Sequence, residues 1–68
     1  MIKIAAQQIT DLINEDNQDD MSVIEPKALT ILAMCGVFIH DTEGFFDAIN
    51  RGGLTPEITE KIIEQFKN

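Results

Sequence analysis

Fifteen residues from Pro26 to His40, PKALTILAMCGVFIH, hold a single full charge, Lys27. On a helical wheel Leu29, Leu32, Ala33, Gly36 and Val37 share one side, and Ile31, Met34, Cys35 and Phe38 share the other. A helix that is apolar all round must be covered all round. The apolar run Ala28 to Ile39 is twelve residues, against roughly twenty for a membrane span. The stretch therefore reads as a buried core helix around which the other elements are arranged.

Its start is expected at Pro26, whose fixed φ suits the first helical position. Ser22 and Glu25 also make an S-x-x-E capping box. That earlier start would put Pro26 inside the helix and force Glu25 into a conformation that a following proline disfavours. His40 is placed at the other end, where a cation complements the helix dipole. Gly36 then falls in mid-helix, at a cost of about 0.5–1 kcal/mol relative to alanine. With Ala33 on the same face, it predicts a close crossing by another helix.

Three amphipathic segments flank this one. Ile2, Ala5, Ala6, Ile9, Leu12 and Ile13 follow the i, i+3, i+4, i+7 spacing of one helical face, opposite Lys3, Gln7, Asp11 and Asn14. Ile4 falls on the polar side. Glu15 to Ser22, EDNQDDMS, breaks the period and reads as an acidic loop, since Asp and Asn compete for local backbone hydrogen bonds. A calcium loop starting at Asp16 would need Gly at Met21 and Glu at Lys27, and has neither. Asp41-Thr42 supplies a cap for a short helix of about eight residues carrying Phe45, Phe46, Ala48 and Ile49. Gly52-Gly53 closes it. Thr55-Pro56-Glu57 opens a last helix, with a capping hydroxyl, proline at N1 and an acid in the first turn. Ile58, Ile62, Ile63 and Phe66 form its apolar face. The expected fold is all-α: one small four-helix domain, its third helix short, around a central apolar helix.

Charge and size limit the function. The 68-residue chain carries a net charge of −7, with six acids against Lys3 in residues 1–25. Binding to a phosphate backbone needs Lys and Arg to displace counterions, so direct nucleic-acid binding is not expected. GGLTPEITEKII resembles a helix–hairpin–helix only loosely. Thr55 stands at the second glycine of that hairpin, and Glu57 and Glu60 would surround the phosphate, so an ordinary capped helix start explains it better. A core this small supplies about 3–5 kcal/mol and is usually supplemented by disulfides, metal or oligomerisation. One cysteine makes no intrachain disulfide, and no Cys/His cluster stands ready for zinc. Association of subunits, or unusually complete helix packing, is what remains.

A catalytic set is not visible. On one helix Cys35 and His40 would point about 140° apart. Cys35 reads as a small buried hydrophobe, and the paired acids Glu43/Asp47 and Glu60/Glu64 as solvated faces. No enzyme activity, cofactor or metal is expected. The N-terminal MIKIAAQQITDL has too short an apolar region for a signal peptide, and a cytoplasmic location is expected.

The functional expectation is a non-catalytic acidic regulator or inhibitor that docks on a basic surface of a larger protein. Asp11, Glu15, Asp16, Asp19, Asp20 and Glu25 would meet that partner, with carboxylates standing where phosphates would lie. Small phage-encoded inhibitors of host defence or transcription are similar in size and charge, a likeness of class and not of motif. A homodimer or higher assembly is expected through Leu29, Leu32, Ala33, Gly36 and Val37. Two alternatives stand beside this: an oligomeric structural or adaptor subunit, and a ligand-binding oligomer with a cavity lined by Met34, Phe38, Phe45 and Phe46.

Overall fold

The computed structural model describes residues 1–15, 21–52 and 55–67. Among them the chain forms four helices: α1 (Ile2–Glu15), α2 (Met21–Met34), α3 (Thr42–Gly52) and α4 (Pro56–Phe66). The domain is all-α, and the one β-type contact among the described residues is an isolated antiparallel bridge between Ile39 and Lys67.

The apolar stripe of α1 does what its spacing predicts. Ala5, Ala6 and Ile9 are buried, and α1 packs most extensively on α4. Between the two helices Thr10 donates its hydroxyl to Thr59 Oγ1 at 2.9 Å, inside the core. Pairing is what makes burial of these hydroxyls tolerable. Phe45 is fully buried and meets Phe46 and Phe66 edge-on, with ring centroids 5.0 and 6.1 Å away. That geometry sets the positive edge of one ring on the negative face of another.

Two helix starts are capped as their sequences suggest. Thr55 Oγ1 accepts the Ile58 N–H at 3.3 Å, with Pro56 at the first helical position. Asp41 Oδ1 accepts the Gly44 N–H at 3.0 Å, and the Asp41 carbonyl accepts the Phe45 N–H at 2.9 Å. A Cβ on Gly44 would run into the Asp41 carboxylate and come within 3.1 Å of the Phe66 ring. Glycine there lets α3 begin close to the end of α4. With this cap α3 runs for eleven residues, more than the eight expected.

The apolar helix departs from expectation at both ends. It begins at Met21, so Pro26 lies inside it and not at N1. It ends at Met34, so His40 is not its terminal residue. Gly36 corrects the close-crossing expectation. It has φ +75° and would meet nothing within 4 Å if given a Cβ. Its N–H bonds the Ala33 carbonyl at 3.0 Å and the Val37 N–H bonds the Leu32 carbonyl at 2.8 Å. This is a Schellman stop, in which a left-handed glycine closes the last turn. Leu32 and Val37, both in the core, supply its hydrophobic contact. The mid-helix penalty thus disappears, and no second helix of this chain's described residues crosses at Gly36.

Beyond that stop, residues 37–41 return along the end of the domain. The His40 N–H donates to the Phe66 carbonyl at 3.3 Å. The α2–α3 connection is thereby tied to the end of α4.

Candidate functional site

Surface chemistry is organised around the two faces of α2. Ile24, Ala28 and Leu32, each four residues apart, are buried, and Ile31 and Cys35 pack partly behind them. On the outward side Val23, Pro26, Leu29, Thr30, Ala33 and Met34 are exposed, together with Ser22 and Lys27. Met34 is 79% exposed and Val23 44%. Thr30 turns its hydroxyl back to the Pro26 carbonyl at 3.0 Å. That bond removes a polar group from an already apolar surface.

The expected oligomer residues therefore divide. Leu32 and Val37, at 1% and 8% exposure, are consumed by the core of their own chain. Leu29 and Ala33 face outward, and Gly36 sits in the turn beyond the helix. Ile4 is also exposed, at 51%.

The acidic residues divide as well. Asp16, Asp19 and Asp20 lie outside the described residues. Asp11 and Glu15 are exposed on α1, where Asp11 Oδ1 accepts the Gln7 side-chain N–H at 2.9 Å. Glu25 is half-buried on the flank of α2, turned toward α3. It shares an open groove of about 480 Å³ with Thr42, Glu43, Asp47 and Asn50, alongside the buried Phe46. Asp41, Glu43, Gly44 and Asp47 line an adjoining depression.

Carboxylates from two helices therefore converge on one surface. Asp47 pairs with Arg51 at 3.2 Å, but both side chains are well exposed, so the pair neutralises little. Among the described residues neither Glu25 nor Glu43 has a cation within ion-pair distance. The i, i+4 spacing of Glu43 and Asp47 was legible as a shared helical side. Their meeting with Glu25 was not, because it depends on α2 starting at Met21.

The remaining polar groups do not assemble. Cys35 is half-buried in the turn that ends α2, and His40 is exposed in the connection to α3. Among the described residues no group of three or more His, Cys, Asp or Glu is placed to hold a metal ion. Phe45 and Phe46 are closed in the core while Met34 and Phe38 face outward. Those four side chains do not line one cavity within a single chain. No described helix is long and apolar enough to cross a membrane. No protein-family model, curated protein or solved structure matches the chain.

Proposed function

We propose that this chain is a non-catalytic, cytoplasmic acidic binding protein, a regulator or inhibitor that docks on a basic surface of a larger protein. The convergence of Glu25, Glu43 and Asp47 on one open groove carries this reading. Fixed carboxylates on two helices present a negative field of defined shape, which steers a basic partner and sets its register. Asp11, Glu15, Asp16, Asp19 and Asp20 add charge from the same chain. The mode of action parallels that of small phage-type inhibitors, which place carboxylates where a partner expects phosphates.

The test is capture of a partner by the wild type and by a Glu25→Gln/Glu43→Gln/Asp47→Asn variant, each at increasing salt. A partner bound by the wild type, released by salt and lost from the variant supports the proposal, since screening weakens exposed charge pairs. A partner held equally by both, or unaffected by salt, contradicts it.

A second reading is favoured by the uncovered outer face of α2: an oligomeric adaptor whose acids only keep it soluble. Charge reversal at Asp16, Asp19 and Asp20 separates the two. Under the regulator reading it abolishes partner binding, and under the adaptor reading it leaves assembly intact. In both readings the working particle is a homo-oligomer.

A further inference from the structure

We infer that the outer face of α2 is the self-association surface, and that its occupant is the same face of a second copy of this chain. The inference rests on the homo-oligomer reading above and assigns its surface.

Three observations carry it. First, α2 exposes three large apolar side chains, Val23, Leu29 and Met34, besides burying its inner side, where α1 and α4 each expose one, Ile4 and Ile58. The outer side shows Val23, Pro26, Leu29, Thr30, Ala33 and Met34 to solvent, with Ser22 and Lys27 beside them. Second, the charge distribution selects the occupant. The outward residues of α1 include Asp11 and Glu15, those of α3 Glu43 and Asp47, and those of α4 Glu57 and Glu64. The outer face of α2 has no carboxylate, and its one charge is Lys27. A basic partner is drawn to the carboxylates and gains nothing at this face. Two copies, each of charge −7, repel wherever acid meets acid, and here they meet without doing so.

Third, shape fits a twofold pairing. Pro26, Thr30 and Ala33 run down the middle of the face, with the larger Val23, Leu29 and Met34 beside them. Helices can approach closely along such a profile. The pairing is isologous, the same patch serving both subunits. It is a weak dimer whose population rises with concentration.

Sedimentation equilibrium from micromolar to millimolar concentration tests it on three proteins. These are the wild type, Leu29→Gln/Met34→Gln, and Ile58→Gln as a control at an exposed apolar residue of α4. Glutamine keeps helix propensity and adds no charge, so the double variant folds as the wild type does, with unchanged far-UV circular dichroism. The wild type and Ile58→Gln should pass from monomer to dimer. The double variant should need at least about tenfold higher concentration to do so. A dimer unaffected by the double change, or weakened equally by Ile58→Gln, overturns the assignment of the face while leaving self-association standing. A wild type that stays monomeric throughout overturns both. A monomeric wild type whose capture of another protein depends on Leu29 and Met34 gives the face to that protein and overturns the second-copy assignment.

Discussion

The α1–α4 pair and α2 solve opposite problems. In α1 and α4 the apolar stripes find partners within the chain, except at the expected stripe residue Ile58, which stays 44% exposed, and the buried pair Thr10 with Thr59 is closed by its own hydrogen bond. Polar residues fill most of the solvent side, with Ile4 and Ile58 the exposed large apolar residues of these two helices. In α2 the inner residues Ile24, Ala28 and Leu32 are covered to the same degree, yet the outer residues are apolar too. The first region completes a monomer. The second exceeds what a monomer needs, and the excess is where a partner should be sought.

That contrast can be broken from the core outward. Phe45→Ala removes the ring at the centre of the aromatic cluster and should cost about 3–5 kcal/mol. This equals the whole stability of a core this size, so circular dichroism should show a largely unfolded chain. Gly36→Ala puts a Cβ into the left-handed region and should cost about 1–2 kcal/mol in urea denaturation. A neutral result would mean that α2 does not end at this turn. Thr10→Val should cost about 1 kcal/mol through loss of the interhelical hydrogen bond. Ala33→Gln, on the exposed face, should change monomer stability by less than about 0.5 kcal/mol, measured at a dilution where no dimer forms. A penalty as large as that at Thr10 would show Ala33 to be covered within the chain, and the contrast would fail.

Much of the fold could be read from residues alone because local chemistry and packing agree there. Thr55-Pro56-Glu57 starts α4 and Asp41 caps α3, each with the side-chain acceptor its position requires. The stripe from Ile2 to Ile13 named the buried side of α1. At α2 the two disagreed. Proline at N1 is a strong local preference, but burial of Ile24, two residues earlier, rewards a helix that starts before it. Gly36 was misread for a related reason. The apolar residues on either side suggested continuing helix, although Leu32 and Val37 around a glycine are also the hydrophobic pair of a Schellman stop. On a helix apolar all round, packing of the other helices decides which side is covered, so Leu32 is buried while Leu29, on the same side of the wheel, is left exposed. Acids on separate segments, such as Glu25 and Glu43, are brought together only by tertiary packing.

Hydrogen–deuterium exchange followed over a range of protein concentrations tests the central claim most directly, because local opening reports on each helix separately. Amides of α2 should become more protected as concentration rises, while those of α1 and α4, packed on each other within one chain, should not change. Equal protection of α2 at every concentration, or a concentration-dependent gain confined to α3 or α4, would contradict it.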